Sequence, residues 1–113
     1  MKLVESTITR SELREFANET FGNLVKAVVD IEKNLMVIDA DLHSDQEAWL
    51  IELGSDQNDL WGINLYPDIP GSDWIEFDSM INVRPRQGNR SRSVDDPELR
   101  ERIRNLVLAK VTS

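Results

Sequence analysis

The sequence predicts an α+β fold: a mostly antiparallel sheet of four to five strands, built from two hairpins, with three helices packed mainly on one face. Three observations predict it. Three segments carry matched start and stop signals for helices, and two pairs of β-branched, apolar segments each flank turn-forming residues. These elements follow one another as strand, helix, two strands, helix, two strands, helix, with no internal repeat, low-complexity tract or linker.

In chain order, a weak strand occupies Lys2 to Ile8. In "ITRSELREFANETFG", Thr9 and Glu12 are spaced for a capping box, Ile8 and Leu13 for a hydrophobic staple, and Gly22 for a left-handed stop. Leu13, Phe16, Ala17 and Phe21 then share one apolar stripe. "VKAVVDIEKNLMVIDADL" places valine and isoleucine on both sides of Lys33-Asn34, which reads as a two-residue hairpin turn. In "HSDQEAWLIELG", Ser44 and Glu47 repeat the capping box, Gly54 repeats the stop, and Trp49 and Leu53 are the residues expected to be buried. "DLWGINLY" and "DWIEFDSMINVRP" flank the loop "PDIPGS" as a second hairpin. Last, in "DDPELRERIRNLVLAKV", Asp96 caps, Pro97 fits the first turn, and Leu99, Ile103, Leu106 and Val107 share a face.

A chain of 113 residues fits a single domain over residues 1–113, well above the roughly 40 residues below which metal or disulfide staples become usual. Its content of 40% hydrophobic and 30% charged residues is that of a globular protein rather than a disordered one. No apolar run approaches the roughly 20 residues a membrane span needs, and Met1-Lys2-Leu3-Val4-Glu5 turns polar too soon for a signal peptide. The expectation is a cytoplasmic protein that does not engage a membrane. The absence of cysteine removes disulfides, thiolate zinc sites and thiol nucleophiles. A net charge of -8 argues against general nucleic-acid binding, which rests on phosphate neutralisation.

Side chains alternate along strands, so the segments sort into faces. In residues 74 to 84, Ile75, Phe77, Ile81 and Val83 point one way while Glu76, Asp78, Asn82 and Arg84 point the other. Trp61, Ile63 and Leu65 match the first set, and Gly62, Asn64 and Tyr66 match the second. Pairing through the loop sets Asn64 opposite Glu76 and Gly62 opposite Asp78. The two-residue turn likewise sets Asp30 across from Val37, Val28 across from Asp39, and Lys26 across from Asp41. Trp61, Ile63, Phe77 and Ile81 are then expected in the main core, against Leu99, Ile103 and Leu106. The opposite face gathers Asp30, Asp39, Asp41, Glu76 and Asp78 with Asn64, Asn82 and Arg84. That face is either simply solvated, as one side of an antiparallel sheet commonly is, or a site for a divalent cation held by hard oxygens, with Glu76 and Asp78 as ligands.

Against the acidic background, "INVRPRQGNRSRSV", residues 81 to 94, carries four arginines and no acid. Pro85 ends the preceding strand, and Gly88 and Asn89 tolerate the positive φ of an anion-binding nest. Arg84, Arg86, Arg90 and Arg92 offer planar forks suited to phosphate or carboxylate, and Gln87 and Asn89 add neutral donors. The competing reading is that these arginines neutralise the protein's own acids, such as Asp95 and Asp96. The segment has no apolar anchor between Pro85 and Val94, so its removal is expected to leave the fold intact. His43, the single histidine, reads as a helix-entry residue rather than a base, and Trp49, Trp61 and Trp74 as packing residues.

The stretch "DLWGINLYPDIPGSDWIEFDSMINVRPRQGNRSRSV", with "KAVVDIEKNLMVIDADLHSD" upstream, resembles a family of short bacterial and archaeal proteins described only as a domain of unknown function. The resemblance covers nearly the whole chain. It implies a free-standing microbial cytoplasmic protein and carries no catalytic or ligand residue onto this sequence. Three readings of function stand on the chemistry. The first is a non-catalytic binding or regulatory domain gripping a small anionic ligand or acidic partner through the arginine segment. The second is a metal-assisted enzyme acting on a phosphorylated substrate, with Glu76 and Asp78 holding the cation. The third is a structural homo-oligomer in which the arginine loop meets a neighbour's acids.

Overall fold

The caps at Thr9 and Asp96 start two of the helices where the sequence places them. In a computed structural model, which describes residues 1–113, Thr9 Oγ1 accepts from the Glu12 N–H at 3.0 Å and Glu12 Oε1 accepts from the Thr9 N–H at 3.2 Å. This capping box opens α1 (Arg10–Glu19), after the short strands β1 (Lys2–Val4) and β2 (Ile8–Thr9). The hairpin β3 (Val25–Asp30) and β4 (Leu35–Ile38) leads to α2 (His43–Glu52). Then come β5 (Leu60–Leu65), β6 (Ile75–Glu76), α3 (Pro97–Lys110) and β7 (Val111–Thr112).

Five strands pair in the order β1-β4-β3-β5-β6, and every pairing is antiparallel. The contact between β3 and β5 joins the two hairpins into one sheet. A second, two-stranded sheet pairs β2 with β7 in parallel and ties the start of α1 to the end of α3. Beside it the buried Lys110 ammonium donates to the Glu5 carbonyl at 2.8 Å.

The residues Val25, Ala27 and Val29 of β3 and Trp61, Ile63 and Leu65 of β5 lie in the main core with Leu13 and Ala17 of α1 and Ile103, Leu106 and Val107 of α3. Two helices thus cover one face, and α2 goes to the other. There Val28, Val37, Leu50 and Leu60 form a second, smaller core edged by Leu3, Leu35, Trp49 and Ile81. The face expected to carry exposed acids is therefore largely covered, because α2 needs an apolar surface to pack on and Val28 and Val37 supply it.

Several local expectations change with this arrangement. The hairpin turn spans Ile31 to Asn34, not Lys33-Asn34 alone, and pairs Asp30 with Leu35 and Val28 with Val37. Its cause is the Asp30 carboxylate, which accepts from the Glu32 and Lys33 N–H groups at 2.9 Å each and closes a wider turn, with Asn34 at φ 56°. Asp30 is fully buried and also accepts from the Ser55 hydroxyl. Asp39 takes φ 66° just past β4, so Asp39 and Asp41 never join the ladder. In α2 the expected Ser44–Glu47 capping box does not form. The helix starts at His43, Leu42 stands at its cap without a side-chain hydrogen bond, and Ser44 lies inside the first turn. Its buried face is His43, Gln46 and Leu50, while Trp49 is half-buried and Leu53 exposed.

The second hairpin keeps its register at Asn64 opposite Glu76 but loses its length, because β6 ends there. Ser79 caps a short 3-10 turn at Met80–Asn82, so strand alternation stops. Phe77 edges the main core, Ile81 belongs to the smaller one, and Val83 is exposed. Trp61 and Ile63 are in the main core as expected.

Candidate functional site

Two buried asparagines organise the arginine segment. Gly62 pairs with no residue of β6. Instead its N–H donates to Asn82 Oδ1 and its carbonyl accepts from Asn82 Nδ2, both at 2.9 Å. One carboxamide thus stands in for a strand residue along the edge of β5. Gly62 is required there for space rather than for a neighbouring carboxylate: a Cβ would lie 2.6 Å from Ser79 Cβ and Oγ. Asn89, only 4% exposed, reaches the carbonyls of Asn82 at 2.8 Å and Ser93 at 2.7 Å with Nδ2, and accepts from the Asp95 N–H at 2.7 Å. The Arg84 and Asn89 backbones exchange two hydrogen bonds, and Gly88 takes φ 81°. The segment is a knitted loop with a polar anchor, so the expectation that it can be removed without loss of the fold does not hold.

The four arginines divide by what they touch. Arg84 is a structural anchor: Nε donates to the Ile81 carbonyl at 2.9 Å, Nη1 to the Gln57 carbonyl at 2.8 Å, and Nη2 to the Leu60 carbonyl, with the guanidinium 4.3 Å from the centre of the Trp61 ring. Burial lowers its pKa, and the nearby Glu47 carboxylate pulls it back. Gln87 adds a bond to Arg84 Nη1 and one to the Asn58 carbonyl. Arg92 pairs with Asp78 at 2.7 Å, both side chains half exposed. Arg86 and Arg90 are exposed and take part in none of the ion pairs.

Arg92 also borders a pocket of about 180 Å³ beside the start of α2, shared with Lys26, His43, Ser44, Asn64 and Ser79. The register sets Lys26 of β3 opposite Asn64 of β5. His43 Nε2 lies 2.8 Å from the Ile63 carbonyl and donates to it, which fixes the ring under the helix. Burial lowers the His43 pKa, the Ile63 hydrogen bond raises it in part, and the Lys26 charge lowers it further. Asn64 is 8% exposed; its Nδ2 donates to Glu76 Oε1 at 2.8 Å, and its Oδ1 is buried without a partner.

The two residues expected to hold a cation do not converge. Glu76 is occupied by Asn64 and by the Tyr66 hydroxyl at 3.2 Å, while Asp78 faces Arg92. No group of three or more acids or histidines comes together as a ligand set.

A family model for proteins of unknown function, DUF5674, matches residues 2–110. The chain belongs to this family. No curated protein and no solved structure matches it. No helix is long and apolar enough to cross a membrane.

Of the residues read from the sequence as ligand-binding, Arg92 alone lines the pocket beside α2; Gln87 and Asn89 face a separate cleft, and Arg84 serves the fold. Lys26, Ser79 and the start of α2 were missed. One signal was available for Lys26, the lone charge within the apolar run from Val25 to Val29. Nothing in the sequence places Ser79 there, because its position depends on where β6 ends.

Proposed function

We propose that this protein is a non-catalytic, cytoplasmic binding domain that recognises a small anionic ligand in the pocket between α2 and Arg92. The observation that carries this reading is the first turn of α2, which no side chain caps and which opens on a pocket bordered by Lys26 and Arg92. A helix start carries about half a positive charge and free N–H donors. Among the residues that line the pocket, Lys26 and Arg92 bring two positive charges against the single Asp78 carboxylate, a lining that favours an anion. At about 30 Å³ per liquid water molecule, the volume suits a phosphate or carboxylate group rather than a nucleotide.

The test is a titration with inorganic phosphate and with acetate, followed by amide shifts of His43, Ser44 and Asp45. Lys26→Met and Arg92→Gln should each weaken binding about tenfold, the worth of one charge-assisted hydrogen bond at 1.4 kcal/mol. Asp78→Asn should strengthen it, because the variant frees Arg92 and removes a like charge. A cation-dependent site requires the opposite, since Asp78→Asn would then abolish binding. Loss of binding in Arg86→Gln/Arg90→Gln with Lys26→Met unaffected would place the anion on the outer loop and refute this pocket.

A further inference from the structure

The pocket beside α2 contains a group that suits some anions and repels others. His43 opens the helix and borders the pocket with Lys26, Asn64, Asp78 and Arg92. Its Nε2 lies 2.8 Å from the Ile63 carbonyl. A carbonyl only accepts, so the neutral ring carries its one N–H on Nε2 and leaves a lone pair on Nδ1. No group of the fold donates to that lone pair. The neighbouring Asn64 carboxamide spends its N–H groups on Glu76 Oε1 at 2.8 Å and on the Asp78 carbonyl at 3.2 Å. Nor is Nδ1 sealed off: Asn64 Oδ1 is among the buried polar atoms without a partner, and His43 Nδ1 is not. The nitrogen therefore keeps contact with solvent, and the pocket is the opening that His43 lines.

The ring stays neutral at pH 7.5. Burial lowers its pKa from 6.5, the Lys26 charge on β3 lowers it further, and the Ile63 carbonyl, Asp78 and Asn64 pull it back only in part. Arg92, the remaining charge of the lining, is engaged with Asp78 at 2.7 Å. An anion drawn in by Lys26, Arg92 and the first turn of α2 thus meets an acceptor as well. A bare oxygen there sets lone pair against lone pair, whereas an oxygen that carries hydrogen donates to Nδ1. Sites that hydrogen-bond a ligand hydroxyl reject the analogue lacking it far more strongly than sites that differ only in bulk.

We propose that this pocket selects oxyanions that carry their own proton, with His43 Nδ1 accepting the hydrogen bond from it. The inference rests on the pocket being the anion site proposed above and adds the class of anion. Hydrogen phosphate and sulfate are tetrahedral dianions of similar size that differ in that one proton, and bicarbonate and acetate are the corresponding planar monoanions. Phosphate monoesters, with a second pKa of about 6, have lost the proton at pH 7.5 and fall with sulfate on the rejected side. The ligand is then inorganic hydrogen phosphate or bicarbonate.

The experiment titrates the wild-type protein at constant ionic strength and follows the His43, Ser44 and Asp45 amides together with the His43 ring nitrogens. At pH 7.5 phosphate should bind about tenfold more tightly than sulfate, or better. The Nδ1 resonance should move toward its protonated position with phosphate and stay in place with sulfate. As the pH falls to 5 through the folded pKa of His43, Nδ1 becomes a donor, so sulfate affinity should rise about fivefold and sulfate should raise the His43 pKa reciprocally. Bicarbonate should likewise exceed acetate at pH 7.5, and the tighter of phosphate and bicarbonate identifies the ligand. Equal affinities for phosphate and sulfate at pH 7.5, with the amides shifting, refute the selectivity and leave the anion pocket standing. Sulfate binding that does not change with pH does the same. If neither anion moves these amides at either pH, the pocket is not an anion site and this inference falls with it.

Discussion

Replacing Asn82 by alanine tests whether a single carboxamide takes the place of a missing strand. The substitution strips the Gly62 N–H of its acceptor and the Gly62 carbonyl of its donor, while the Arg92 carbonyl keeps the Ser79 N–H at 3.0 Å. Asn82 and Gly62 are both buried, so two backbone groups are left unpaired. At about 1–3 kcal/mol each, the expected loss is about 2–6 kcal/mol, a large part of a typical stability of about 5–15 kcal/mol. Urea unfolding followed by tryptophan fluorescence measures it; the midpoint should fall while the slope is unchanged. Asn82→Asp separates hydrogen bonding from shape. It keeps the outline and one acceptor, but turns an oxygen toward the carbonyls of Gly62 and Arg92 and buries a charge. At neutral pH it should cost at least as much as alanine. A loss below about 1 kcal/mol for Asn82→Ala, or an aspartate variant milder than the alanine one, refutes the strand-replacement reading.

Gly62→Ala drives a Cβ to 2.6 Å from Ser79 and should cost about 1–3 kcal/mol; adding Ser79→Gly should recover part of that loss in a double-mutant cycle. Asp30→Ala leaves the Ser55 hydroxyl and the Glu32 and Lys33 N–H groups without their acceptor, a loss of about 3 kcal/mol or more by chemical denaturation, with Asp30→Asn milder because it keeps one oxygen for the turn. Because burial holds the folded-state pKa of His43 below its ordinary 6.5, the unfolded chain binds the extra proton between the two values. The His43 contribution to stability is therefore complete above pH 6.5 and lost as pH falls through the folded value. Subtracting the His43→Gln profile from wild type between pH 7.5 and 5 should isolate that decline, and a flat difference would refute it.

What could be read from the sequence was whatever depends on neighbours along the chain. The caps at Thr9 and Asp96, the stops at Gly22 and Gly54, the alternation in β3 and β5, and the register of Asn64 with Glu76 are all set within a few residues or across one loop. These suffice for the α+β class. Where the sequence misled, a distant contact outbid a local signal. Ser44 and Glu47 have the spacing of a capping box, but His43 is held by the Ile63 carbonyl twenty residues away, and the helix begins two residues earlier than a Ser44 cap would set it. The alternation of residues 74 to 84 reads as a strand, but Asn82 satisfies Gly62 better as a side chain than as backbone once Ser79 packs on that glycine. Asp30 reads as a surface acid until the turn and Ser55 close around it. The charge of the arginine segment was visible in the sequence, but the division of labour within it was not. Which arginine anchors the fold, which borders a pocket and which remain free depend on carbonyls and carboxylates brought close only when the sheet, α2 and the loop are assembled. Hydrogen-bonding capacity belongs to the residue, whereas its partner is chosen by tertiary packing.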